Sequence, residues 1–276
     1  MGDALGDRMK EFEARETERR FLPMLPVYAR IDGRSFSRFT QGMERPYDPR
    51  MSAAMVETTM HLVEDTHARI GYTQSDEISL VWLADAPESG YFFDGKIMKM
   101  TSVLAGLATA HFGNAIRLAC LGPQYENRLP HFDCRVFQLP SRTEAANVFL
   151  WRELDATKNA ISMAARSVYS HKALDHKNGS EMQEMLFEKG INFNDYPTFF
   201  KRGTFVRRIT LDRAFTADEL ARIPEKHRPE PDALVTRSEV VTLDMPKFNT
   251  VLNREAVIFD AAEPVLAPRQ DPSQPA

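Results

Sequence analysis

Polar and apolar residues change rhythm several times along this chain, and each change predicts an element. Met9 to Phe21 is charged and helix-compatible, with Phe12 and Phe21 as its large apolar residues, so it reads as a surface helix. "PVYARID" then alternates: Val27, Ala29 and Ile31 share one face of a strand, and Tyr28, Arg30 and Asp32 share the other. The strand stops at Asp32-Gly33, where glycine permits a tight turn or a close backbone approach. After Asp48 the period lengthens. Asp48 can cap a helix, Pro49 suits its first position, and Met51, Met55, Thr58, Thr59 and Leu62 fall on one face, with Gly71 as the expected stop. "YTQSDEISLVWLA" reads as a strand pair around Ser75-Asp76-Glu77. Lys96 to Phe112 returns to helical spacing, and "HFDCRVFQLP" is a further strand closed by Pro140.

Beyond Pro140 the pattern is more helical. Ser141 with Glu144 signals a capped helix start, and the stretch runs through Trp151 toward Tyr169. "KRGTFVRRITL" and "SEVVTLDM" read as strands, with a short helix between them announced by Thr216 and Glu219. The expected organisation is therefore one unit over 1–140, a helical and β unit over 141–262, and a Pro-rich polar tail over 263–276 with the composition of disorder.

Composition narrows the picture moderately. Hydrophobic residues make up 43% and charged residues 27% of 276, so the body of the chain can bury a core. Cys120 and Cys134 do not suggest a disulfide framework, the first residues lack a signal peptide's apolar core, and a cytoplasmic location is the expectation. The least polar run, "TSVLAGLATAHF", is shorter than the roughly 20 residues a spanning helix requires. A net charge of −4 argues against a wholesale nucleic-acid coat but not against a local basic groove. The seven histidines show no zinc-like spacing.

The chemistry concentrates at two acidic corners, Asp32-Gly33 and Ser75-Asp76-Glu77. If the two strands are neighbours, both aspartates project into one cleft at the strand ends. Carboxylates held that close repel, and a divalent cation such as Mg²⁺ relieves the repulsion using one or two carboxylates plus substrate phosphates. Ordinary turn chemistry accounts for the same residues, since Asp-Gly is among the commonest turn dipeptides. Spacing alone leaves both readings open.

Taken in series, "RIDGRSFSRF", "GYTQSDEISLVW", "HFDCRVFQLPS" and "FLWRELDATKN" resemble the histidine-tRNA guanylyltransferase family and its bacterial and archaeal guanylyltransferase-like relatives, over about Phe12 to Arg208. The resemblance implies an α+β fold, a palm-like antiparallel sheet with helices packed on one face, plus a helical/β C-terminal extension that contacts RNA. It implies an enzyme that adds nucleotides to the 5′ end of tRNA in the 3′-to-5′ direction. ATP adenylylates the 5′ phosphate, and the 3′-hydroxyl of GTP then attacks it. By the same resemblance, Asp32, Asp76 and Glu77 are the catalytic carboxylates, and Asp32, the Gly33 carbonyl and Asp76 hold two Mg²⁺ ions. The triphosphate cradle runs through Gly33, Arg34, Ser35, Phe36 and Ser37 with Ser75 and Asp76, joined by Arg45 and by Lys96 or Lys99. Arg135 and Asn159 bear on tRNA or nucleotide positioning, and the basic run of Lys201, Arg202, Arg207 and Arg208 around Phe205 is expected to grip RNA. Relatives form tetramers, so a homotetramer is expected.

Two departures stand out. Thr157 replaces a histidine of the eukaryotic "HINNLYN" stretch, of which Asn159 remains, and this favours relaxed relatives that repair 5′-truncated tRNAs. Cys134 replaces a glycine, and a small cysteine on a strand is packing rather than a catalytic thiol. A nucleotide cyclase-like palm enzyme shares the paired aspartates, and a non-catalytic RNA- or nucleotide-binding module would tolerate their loss.

Overall fold

The computed structural model describes residues 4–86, 89–119, 122–230 and 233–267. Cys120 and residues 268–276 of the expected tail lie outside the described residues. Helix α1 (Ala4–Thr17) begins and ends earlier than its charge pattern suggests and buries none of its residues. Strand β1 (Val27–Gly33) follows, then the one-turn α2 (Phe36–Phe39) and the long α3 (Pro49–Thr66). The hairpin β2 (Ile70–Gln74) and β3 (Glu77–Trp82) leaves only Ser75 and Asp76 in its turn. After it come α4 (Ile97–Leu118), the one-turn α5 (Pro123–Glu126), β4 (Phe132–Gln138) and α6 (Arg142–Arg166). The rest is α7 (Gly179–Glu188), α8 (Thr198–Arg202), β5 (Thr204–Ala214), α9 (Ala217–Arg222), β6 (Leu234–Leu243) and α10 (Arg254–Phe259).

The six strands form one antiparallel sheet in the order β4-β1-β3-β2-β5-β6. Register follows from alternation. Val27, Ala29 and Ile31 lie opposite Trp82, Leu80 and Ile78, and this face packs on Met55, Leu62 and Val63 of α3 and on Met100, Leu104 and Phe112 of α4. Tyr28, Val81, Tyr72 and Phe205 point the other way, where Ala145, Ala146 and Phe149 of α6 cover them together with Phe248, Val257 and Ile258. Thus the segment after Pro140 both lengthens the sheet through β5 and β6 and roofs its second face. Each fully buried Leu, Ile or Phe contributes about 1.5–3 kcal/mol, so two such layers hold the strand ends rigidly.

The start of α3 is formed as its residues dictate, with Asp48 accepting from the Arg50 amide at 3.0 Å and Pro49 at the first turn. Its end is not. His67, in the left-handed conformation at φ 54°, terminates the helix, while Gly71 lies inside β2. A side chain at Gly71 would meet methyls of Thr59, Val63 and Val206 at 2.8–2.9 Å, so this glycine permits close helix-to-sheet packing. Ser141 accepts from the Glu144 amide at 3.1 Å, and Thr216 and Glu219 form a full capping box. Within the expected tail, Leu266 pairs with Val251. Among the described residues no helix is long and apolar enough to cross a membrane.

Candidate active site

The two acidic corners come together. Asp32 is the second-last residue of β1 and lies opposite Glu77 on β3 and Asp133 on β4. Asp76 sits in the two-residue turn beside it, and the Gly33 amide donates to the Asp76 carbonyl at 3.0 Å, tying the turn to the end of β1. Ser75, at φ 51°, turns the corner and donates its hydroxyl to Asp76 Oδ1 at 3.1 Å. Gly33 has a steric reason as well, because a Cβ there would meet the Phe36 ring at 2.3 Å.

The electrostatics are those of crowded carboxylates. Burial raises the pKa of Asp32, the Asp133 charge raises it further, and Arg135, Arg30 and Arg152 oppose this. Burial and then the Asp32 charge push Asp76 up. Glu77 is different. It is buried and pushed up by burial, yet both its oxygens are forked by Arg152, Nε to Oε1 at 2.6 Å and Nη2 to Oε2 at 2.8 Å. The same guanidinium reaches Asp155 at 3.2 Å and lies over the Trp151 ring. Next to it, buried Glu153 accepts from the Phe248 amide at 2.8 Å and from Arg202 at 3.1 Å. Instead of offering a third free carboxylate, Glu77 is committed to α6.

Among the described residues no group of three or more His, Cys, Asp or Glu side chains could hold a metal ion. Two mutually repelling aspartates with a glycine backbone between them are a partial set. It fits Mg²⁺, which takes one or two protein carboxylates and fills its other positions with water and phosphate oxygens.

A cavity of about 280 Å³ opens beside Asp76 and is bordered by Phe36, Ser37, Arg45 and Ser75 as well as by Tyr47, Asp48 and Met163. Much of the expected phosphate cradle is therefore assembled in one place. The Gly33 and Arg34 amides already donate to the carbonyls of Asp76 and His131, so the cradle narrows to Ser35, Phe36 and Ser37, where a helix start leaves amides without intrahelical partners. The Arg34 side chain is exposed.

Other expected residues are placed elsewhere. Lys96 bonds Glu18 at 2.6 Å and Lys99 lies over the Phe93 ring. Both sit at the start of α4, whereas Phe112 near its end packs on Phe36. Sixteen helical residues, roughly 24 Å, separate Lys96 from the cavity end of the helix. The basic run is bonded within the protein, with Arg207 alone buried. Lys201 donates to the Asn194 carbonyl, Arg202 pairs with Glu153, Arg207 is buried against the Val257 carbonyl, and Arg208 caps the end of α3 through the Glu64 carbonyl at 2.7 Å. Lys201, Arg202 and Arg208 stay part-exposed while making these bonds. Arg135 is exposed beside Asp133 on the face of Asp32, and Asn159 is exposed on α6, bonded to Asp155 at 3.4 Å.

Sequence reasoning missed Arg152, Asp133 and Tyr47. A signal for Arg152 existed, since a glutamate inside an apolar strand requires a cation and "WRELD" supplies one on the roofing helix. Cys134 is buried on the α4 face, and burial, with a lesser push from Asp133, raises its thiol to about 12. Iodoacetamide at pH 8 is expected to leave Cys134 unlabelled in the native protein and to label it after denaturation, as read by peptide mapping; native labelling would contradict this packing.

The antiparallel α+β sheet thus carries two neighbouring aspartates at its strand ends, one of which, Asp76, borders a cavity of about 280 Å³. Residues 6–140 match the family model described as tRNAHis guanylyltransferase (Thg1). The chain is similar to a bacterial Thg1-like protein solved in complex with ATP, with 37% identity, 74% of this chain and 88% of that one covered, and a TM-score of 0.69. A bacterial Thg1-like protein solved with GTP gives 30% identity, 90% and 94% coverage and a TM-score of 0.68. The tRNA(His) guanylyltransferase of Neurospora crassa is 28% identical over 226 residues, covering 75% of this chain and 74% of its own. The protein belongs to the tRNAHis guanylyltransferase family of nucleotidyltransferases.

Proposed function

We propose that this protein is a magnesium-dependent nucleotidyltransferase that adds nucleotides to the 5′ end of tRNA in the 3′-to-5′ direction, with ATP and GTP as substrates. The observation that carries this is that Asp76, crowded by the Asp32 charge, borders a cavity that Ser37, Arg45 and Ser75 also line. Membership of the family and the ATP- and GTP-bound bacterial neighbours support it. In the first step the 5′ phosphate of tRNA attacks the α-phosphorus of ATP and pyrophosphate leaves. In the second, the 3′-hydroxyl of GTP attacks the adenylylated phosphate, its proton is lost to solvent, and AMP leaves.

Bound Mg²⁺ would offset phosphoryl charge and acidify the attacking hydroxyl. The chain's own residues do the positioning. Arg45, Ser37 and Ser75 border the space for the triphosphate, and Asp76 borders it with the Asp32 charge close by. Arg152 holds Glu77 away from that space and, with Arg30 and Arg135, favours ionised Asp32. Thr157, in the position of the missing histidine, donates its hydroxyl to the Glu153 carbonyl at 3.2 Å within its own helix. The absence of that histidine supports action on 5′-truncated tRNAs over strict reading of the histidine tRNA.

The test is incubation of the protein with 5′-monophosphorylated tRNA, ATP and labelled GTP. Labelled tRNA longer at its 5′ end is the expected product, and faster extension of 5′-truncated tRNAs than of intact histidine tRNA is expected. A cyclic nucleotide, or nucleotide binding with no transfer, would overturn the proposal.

A further inference from the structure

The cavity beside Asp76 has two kinds of wall. Its lining includes the polar Ser37, Glu44, Arg45, Asp48, Ser75 and Asp76 and also the apolar Met43, Met51 and Met163 with the ring of Tyr47. Phosphate gains nothing from thioethers and an aromatic ring, whereas a flat heterocycle does.

Tyr47 is also held for such a task. Its ring meets Phe200 at 4.9 Å between centroids and 33°, Phe199 at 5.2 Å and 87°, and Tyr196 at 6.2 Å and 82°. Tyr196 and Phe200 brace one another at 5.1 Å, and Phe193 braces Tyr196 at 6.0 Å. In the chain Tyr47 stands between Pro46 and Asp48, and Asp48 caps α3 while accepting two bonds from the Arg50 side chain. A tyrosine locked by aromatic neighbours loses little further freedom when a ligand packs on it. Aromatic pairing alone would make a core residue, but Tyr47 stays half-buried and borders the cavity.

We propose that Tyr47 is the surface on which the nucleobase of the bound triphosphate stacks, and that Tyr196, Phe199 and Phe200 are positioning residues that hold it. The proposal deepens the nucleotidyltransferase reading and rests on it for the identity of the ligand. It assigns to the segment preceding β5 a share in nucleotide affinity. Stacking on a π face tolerates either purine, so ATP and GTP should depend on Tyr47 to a similar extent.

The full-length protein should be titrated, without tRNA, with ATP, GTP and inorganic tripolyphosphate. Tyr47→Ala is expected to weaken ATP and GTP binding by on the order of tenfold or more and to leave tripolyphosphate affinity unchanged. Tyr47→Phe and Tyr47→Trp should bind both nucleotides as the parent does. Tyr47→Leu retains apolar volume against Phe200 and should lose affinity like the alanine variant while unfolding at the parental temperature. Phe200→Ala should produce a smaller loss with the same selectivity. Parental nucleotide affinity in Tyr47→Ala, or an equal loss of tripolyphosphate binding, would overturn the inference. If the parent binds nucleotides in this Tyr47-dependent way yet does not extend tRNA, the functional reading fails and the base platform stands; if the parent binds no nucleotide, both fail.

Discussion

Replacing Asp76 by asparagine is expected to abolish nucleotide transfer and, in the same variant, to raise the unfolding temperature of the metal-free protein. The two effects share one cause. Asp76 is half-buried in the β2–β3 turn, and burial and the neighbouring Asp32 charge raise its pKa. The folded state therefore favours its protonated form. Its contribution to stability is fully present below the ordinary carboxylate value of about 3.9 and is lost as pH rises through the raised folded value. At pH 7.5 the parent holds an ionised, repelled carboxylate that Asp76→Asn does not. Asparagine can still accept the Ser75 hydroxyl bond that shapes the corner. Melting curves in a chelator should place the variant above the parent near pH 7.5, and the two should converge as pH falls toward about 4. Transfer should fall by at least about a hundredfold, the loss typical when a group that stabilises transition-state charge is removed. Near-parental turnover would refute the role of the paired aspartates. A lower melting temperature at neutral pH would mean that Asp76 is there to build the turn.

What could be read in advance divides by distance along the chain. Asp48-Pro49, Ser141 with Glu144 and Thr216 with Glu219 are local instructions, and each opens a helix where it stands. Alternation in "VYARID" placed Tyr28 and Asp32 on one face and Ile31 on the other, because pleating needs no partner to be specified. The convergence of Asp32 with Asp76 was legible only through the family resemblance, because β1 pairs with β3 across the intervening α2, α3 and β2 and spacing alone left that neighbour relation open. Gly71 was misjudged, since a glycine after a helix looks like a stop until the methyls of Thr59, Val63 and Val206 are seen around it. The contacts that Lys96, Lys99 and the basic run make were equally invisible. Arg208 meets Glu64 across 144 positions and Arg202 meets Glu153 across 49, and no spacing rule carries that information.

The Glu77–Arg152 pair spans 75 positions and yields the other large expected effect. Both side chains are below 10% exposed, and the fork satisfies both oxygens of Glu77. Removing one partner of such a pair leaves an uncompensated buried charge and costs about 3–5 kcal/mol, whereas replacing both by apolar or neutral groups of similar volume is often close to neutral. Arg152→Ala should therefore lower the melting temperature by on the order of ten degrees. Glu77→Gln combined with Arg152→Met should recover most of that loss. The double variant also separates two roles for Glu77. If its carboxylate serves to hold α6 against the sheet beside Asp32, transfer by the double variant should fall by no more than about 10–100-fold, the range for a residue that orients metal-binding or reacting groups from behind. A loss as complete as that of Asp76→Asn in a protein that melts normally would instead make Glu77 a direct participant, released from Arg152 during the reaction. The geometry favours the first outcome, because freeing Glu77 would strand Arg152 over the Trp151 ring with Asp155 as its one remaining carboxylate partner among the described residues, at a cost that recurs in every turnover.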